Sequence, residues 1–333
     1  MASPSNSSSF VQPLSVGNVV SAGFQLYSTH AKQYLTIALF ATLWILLPFA
    51  AVIPVVLFFV AAQNYYATLG LIIPALIVLL LYATAKYLMN LALIARLAFG
   101  ELINQPESLK DARRYVRSRQ WSFLISSLLL GLIGMGVAMV FYLVLAIAVV
   151  GLLSAAGGLS LFSNPSPEAL AANGATLVLL VLLFLILLLA FLAFLFWFAA
   201  RFVAAEVPLA VEPGVTATQT IGRMWSLTKG SAGRIALILF ITSLVTMPIQ
   251  LLVQIGISAT NAVIEAAGFT PGDPSYTALS LLITYILSFA VSIVVIPLWQ
   301  TIKAVIYYDL RSRREGLGLQ LRDRGIPDPG TLT

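Results

Sequence analysis

Cysteine is absent from the 333 residues, and histidine occurs once, as His30. These absences exclude disulfide frameworks, cysteine nucleophiles, thiolate metal sites and histidine-rich zinc sites, and with them most catalytic repertoires. Charge is scarce too: 9% of residues are charged and 60% are apolar, against about 25% charged in an ordinary soluble domain. No water-soluble fold hides that much apolar surface. A membrane β-barrel needs short segments of alternating polarity, which the unbroken apolar runs here rule out. Walker loop, dinucleotide fingerprint, His-Glu-x-x-His and Gly-x-Ser-x-Gly motifs are all missing. No catalytic residue, metal site or cofactor is therefore expected, and the chain reads as a non-enzyme.

What the sequence does contain is length of apolar chain. Six stretches, near 34–61, 68–98, 121–154, 175–203, 233–262 and 278–306, each exceed the ~20 residues that a helical span requires. The loops near 62–67, 155–174 and 263–277 lack Lys and Arg, while basic residues collect at the opposite ends of the same helices. The positive-inside rule makes that basic side cytoplasmic, with both termini there. Residues 1–12 are polar, lack the regions of a signal peptide and are expected to be a disordered lead-in. Residues 311–333 form a charged cytosolic tail. Lys86 is the exception to the charge pattern, lying about 18 residues into the second span, or ~27 Å at 1.5 Å per residue. It is either a snorkelling side chain or a charge facing a cavity in the bundle.

The chain also resembles itself. Gln12-Pro13-Leu14-Ser15, Gln105-Pro106-Glu107-Ser108 and Glu212-Pro213-Gly214-Val215-Thr216 each introduce an amphipathic stretch followed by two spans, and the 35-residue separation of Pro13 and Pro48 recurs between Pro213 and Pro248. The predicted fold is all-α: a polytopic membrane protein of six transmembrane helices, built as three repeats of amphipathic helix plus transmembrane hairpin, near 13–104, 105–211 and 212–310. In the first amphipathic stretch Val16, Val19, Val20, Phe24 and Tyr27 form the apolar face, with Ser15 as N-cap. In the third, Ile221, Met224, Trp225 and Thr228 do so. The second is the most polarised: Lys110, Arg113, Arg114 and Arg117 fall at i, i+3, i+4 and i+7, opposite Leu109, Ala112 and Val116. These four residues and Arg119 are candidate contacts for anionic lipid. The same charge serves equally to orient the third span. Nucleic acid is not an expected partner, because the charge is committed to the membrane side. Pro48, Pro54, Pro248 and Pro297 predict kinks. Glu101 and Glu206 follow Arg96 and Arg201 by five residues in matching segments, predicting structural Arg–Glu contacts at helix ends.

Arg201-Phe-Val-Ala-Ala-Glu206-Val-Pro-Leu-Ala-Val-Glu212, Thr216, Trp225-Ser226-Leu227-Thr228-Lys229-Gly230 and the ending Tyr307-Tyr308-Asp309-Leu310-Arg311-Ser-Arg313-Arg314-Glu315-Gly316 resemble the membrane domain that accompanies some bacterial glycerophosphoryl diester phosphodiesterases. The resemblance rests mainly on residues 200–316 and implies a multi-pass protein of the bacterial inner membrane. In the two-domain members hydrolysis belongs to a separate barrel rich in histidine and metal-binding carboxylates. The spans consume this chain's length and leave one His, so that activity is not transferred to it. The expected role is a scaffold, accessory or lipid-interacting membrane protein, with membrane lipids and other membrane subunits as partners. The alternative is a transporter, since three parallel hairpins resemble the plan of mitochondrial carriers. The acidic-then-basic pair that gates such carriers is missing after Pro48 and Pro248.

Overall fold

The structure, a computed structural model, describes residues 14–61, 65–155 and 174–317. The lead-in 1–12, the tips of the loops near 62–67 and 155–174, and most of the tail 311–333 lie outside the described residues. Within them every regular element is a helix: α1 (Val16–Thr29), α2 (Ala31–Ala61), α3 (Tyr65–Leu102), α4 (Leu109–Ser118), α5 (Gln120–Ala155), α6 (Gly174–Phe202), α7 (Glu206–Val211), α8 (Ala217–Leu227), α9 (Ala232–Ala266) and α10 (Pro274–Glu315). Apolar runs take this form because lipid offers no partner to a backbone N–H or C=O, so each must be satisfied within the segment. Six of these helices, α2, α3, α5, α6, α9 and α10, are long and apolar enough to cross a bilayer. The chain is a multi-pass integral membrane protein.

Local chemistry marks where the short helices begin. Ser15, Ser108 and Thr216 are N-caps whose side chains accept from the backbone N–H of Asn18, Asp111 and Gln219, and Gln219 closes a capping box back onto Thr216. At the far end α10 stops at Gly316, whose φ of 65° is the left-handed conformation that glycine adopts without a steric penalty. The helices run on through Pro48, Pro54, Pro74, Pro248 and Pro297.

The residues form two compact units, one comprising the chain up to Ser126 and from Phe202 onward, the other Ser127–Arg201. These units cut across the segment boundaries near 105 and 212. α4 belongs to the first unit, whereas most of α5 and nearly all of α6 make the second. In that second unit Phe141 stacks on Phe191 with centroids 4.1 Å apart, Gly134 faces the ring of Phe198, and Arg201 lies over Trp197 at 5.0 Å. Leu, Ile and Val side chains cover its exposed surface, as a lipid-facing hairpin requires.

The first unit has its core at one end. At 1.5 Å per residue α3 and α10 are about 57 and 63 Å long, roughly twice the ~30 Å of a hydrocarbon core. Their buried side chains run from Ala83 to Leu102 and from Pro297 to Leu310, together with Tyr34, Ile37, Ala38 and Ala41 of α2 and Ile235, Ile238 and Leu239 of α9. Toward the other end Ile77, Val78, Leu251, Leu252, Leu281 and Ile286 are exposed. The surplus length thus becomes a packed helical body at the end that carries the charge.

That packing uses part of each expected apolar face, burying Val19 of the first and Met224 and Thr228 of the third. α1 buries Val19, Ala22 and Gly23 and leaves Phe24 exposed, while α8 buries Ala217, Thr220, Met224 and Leu227 and leaves Trp225 half out. In α1 close helix approach favours the small Ala22 and Gly23 over Phe24, whereas α8 buries the larger Met224 and Leu227 beside Ala217 and Thr220. A Cβ at Gly23 would collide with the Ile302 side chain and come within 3.1 Å of its Cα. Gly23→Ala should therefore destabilise by about 1–3 kcal/mol through overpacking, read as a lower melting temperature of the detergent-solubilised protein. The control Gly17→Ala, where nothing lies within 4 Å, should not lower it.

Candidate functional site

Charge at the packed end of the first unit sorts into two classes. The first class is consumed internally. Asp309 on α10 is only 2% exposed, yet it accepts from the backbone N–H of Leu14 at 2.9 Å, from Arg234 on α9 at 2.5 Å and from Arg313 at 3.0 Å. Arg234 and Arg313 also donate to the Leu14 carbonyl, so one residue of the entering chain is held at both its donor and its acceptor. Glu212 forms a second node: it takes Arg223 at 2.9 Å, lies 3.6 Å from Arg311 and accepts from the Tyr307 hydroxyl. Glu315 joins the same cations at 2.5 Å and 2.9 Å. Burial disfavours the charge on Arg223, but hydrogen bonds to Glu212 and Glu315 offset this and hold its pKa above that of an ordinary guanidinium. The terminal Asp309-Leu310-Arg311 and Arg313-Arg314-Glu315 run is thereby the clasp of the first unit.

The expected pairing of Arg96 with Glu101 is corrected. Arg96 bonds Glu107 at 2.6 Å and the Ala210 carbonyl at 2.5 Å, while Glu101 stands 3.6 Å from His30. Residues five apart on a helix point about 140° away from each other, so the spacing favours partners on other elements. Glu206 pairs with Lys303 of α10 at 2.6 Å, and Arg201, in the other unit, lies over Trp197. Arg119 is likewise removed from the surface group. Its guanidinium donates to the Tyr115 hydroxyl at 2.9 Å, to the Leu209 and Glu212 carbonyls at 2.8 and 3.0 Å, and to the Val215 carbonyl. Tyr115 is stacked under Arg96 at 3.9 Å and donates to Glu212 as well. Arg119 is the fastener between α4 and the turn after α7.

Lys86 is 9% exposed, with its ammonium 5.2 Å from the Tyr82 ring centroid and 5.9 Å from that of Trp44. Trp44 meets Tyr82 edge-on, and Tyr82 in turn lies 6.4 Å from Trp121 at the start of α5. A cation against aromatic faces is stabilised without a carboxylate.

The second class of charge remains outward. α4 buries Ala112 and Val116 against the unit and exposes Lys110, Arg113, Arg114 and Arg117. Among the described residues none of these four side chains has an ion-pair partner. With Leu109 and Ser118 they line a shallow concavity of about 730 Å³. A second groove, of about 460 Å³, joins α4 to the α1–α2 junction and is lined in part by His30, Lys32 and Arg113. Lys32 carried only topological meaning in the sequence, because its neighbour Arg113 lies some eighty positions away. Among the described residues no three His, Asp or Glu side chains gather as a metal site would need. Comparison with known proteins found no matching family model, no similar curated protein and no similar solved structure.

Proposed function

We propose that this is a non-enzymatic scaffold or accessory protein of the bacterial inner membrane that engages anionic lipid through the basic face of α4. In this reading the charged end and both termini are cytoplasmic, as the positive-inside bias requires. The sequence likeness to the membrane domain of glycerophosphoryl diester phosphodiesterases supports a membrane-embedded role without the hydrolytic one.

The observation that carries the reading is selective. The described carboxylates are engaged in ion pairs, caps or hydrogen bonds, whereas Lys110, Arg113, Arg114 and Arg117 are left as an unneutralised stripe. Basic side chains at a membrane surface attract anionic headgroups with about 1 kcal/mol each. Changing all four to Gln should lower the preference of the reconstituted protein for anionic over zwitterionic lipid by on the order of 10²- to 10³-fold at low salt. The wild-type preference should itself weaken as salt is raised. Lipid retention on the purified protein, measured by mass spectrometry across mixed-lipid nanodiscs, reads both; an unchanged preference in the fourfold variant sinks the proposal.

A further inference from the structure

The groove at the α1–α2 junction has a polar rim and an apolar continuation, and the two together specify a ligand. Thr29 and Thr36 donate their hydroxyl protons to the carbonyls of Gln25 and Lys32, at 2.9 and 2.8 Å, so neither offers a donor outward. Lys32 and Arg113, from different helices, are exposed and line the groove, and neither side chain has an ion-pair partner among the described residues. His30 and the Gln33 amide complete the donors, and Glu101 contributes an opposing charge 3.6 Å from His30. A guanidinium and an ammonium converging on one groove suit a phosphate, whose several oxygens take a forked donor and a point charge together.

Along α2 the face that begins with Lys32 and Thr36 continues through Phe40, Leu43 and Leu47, at spacings of three and four residues that keep one helix face. Leu39, Phe40, Leu43 and Leu47 are 42%, 49%, 50% and 39% exposed. From Thr36 to Leu47 is about 16 Å along the axis, close to one leaflet of a ~30 Å hydrocarbon core. Free phosphate would use the rim and leave this track empty; a phospholipid uses both. We infer that the groove is a discrete phospholipid site, holding one anionic headgroup between Lys32 and Arg113 with an acyl chain along the Phe40–Leu47 stripe. The inference rests on the lipid-contact reading above and narrows it from a charged surface to one seat.

The test compares two charge-matched double variants of the full chain in nanodiscs of zwitterionic lipid doped with phosphatidylglycerol. Lys32→Gln/Arg113→Gln should reduce retention of a single phosphatidylglycerol by roughly 30-fold, taking about fivefold per basic residue. Arg114→Gln/Arg117→Gln should leave that one lipid bound while thinning the looser population around the protein. Equal losses from both pairs would overturn the seat and leave only a diffuse basic surface. Displacement of the lipid by inorganic phosphate at equal concentration would also overturn it, by showing that the acyl track adds nothing. If wild-type protein does not discriminate phosphatidylglycerol from the zwitterionic lipid, the broader lipid reading fails with it. All four residues are exposed, so the melting temperature of each variant should match wild type and separates loss of binding from loss of fold.

Discussion

Asp309→Ala is expected to destabilise the protein by about 3–5 kcal/mol, the usual consequence of removing one partner from a buried charge cluster. The effect is large because of what remains. Without the carboxylate, Arg234 and Arg313 face each other across the Leu14 carbonyl with no counter-charge between them, and the Leu14 N–H loses its acceptor. Like charges and an unsatisfied buried donor then act in the same direction. Asp309→Asn keeps an acceptor for the backbone but loses the charge, so it should fall between wild type and alanine. Thermal melts in detergent would rank the three, and protease sensitivity near Leu14 should rise in the same order. A melting temperature for Asp309→Ala within a degree or two of wild type would mean that the node does not hold the chain entry.

The second large effect is expected at Arg119. One guanidinium serves the Tyr115 hydroxyl and the carbonyls of Leu209, Glu212 and Val215. Hydrogen bonds from charged donors contribute about 1.5–3 kcal/mol each, and their removal leaves part-buried carbonyls unpaired. Allowing for shared geometry and water replacement, Arg119→Ala should cost about 3 kcal/mol. Arg119→Lys is the sharper test. A lysine ammonium is a point donor that cannot span carbonyls on both sides of a turn, so it should recover less than half of the loss. Full rescue by lysine would assign Arg119 a charge role, such as the lipid contact expected from sequence, in place of a geometric one.

Together these residues show that part of the described basic complement is spent on internal contacts. Arg96, Arg119, Arg223, Arg234, Lys303, Arg311 and Arg313 are all turned inward on carboxylates or carbonyls. Lys32, Lys229 and the four basic residues of α4 are exposed, with no ion-pair partner among the described residues, and the proposed lipid contact draws on those of α4 and Lys32.

Several features follow from the amino-acid order alone. Helical class and the six spans depend on runs of apolar residues, a local property that lipid enforces whatever the neighbours are. The N-cap at Ser15 and the basic stripe of α4 are equally local, being set by residues within two helical turns of one another, whereas the caps at Ser108 and Thr216 are seen in the structure. Tertiary structure decided the rest. Glu107, not Glu101, became the partner of Arg96; Arg119 left the surface group to fasten a turn some ninety positions away; and Lys32 came to share a groove with Arg113. Each of these depends on which helices pack and how closely, as where Gly23 lies against Ile302. Periodicity gives the direction in which a side chain leaves its own helix, but the identity of what it meets is a property of the packing between helices.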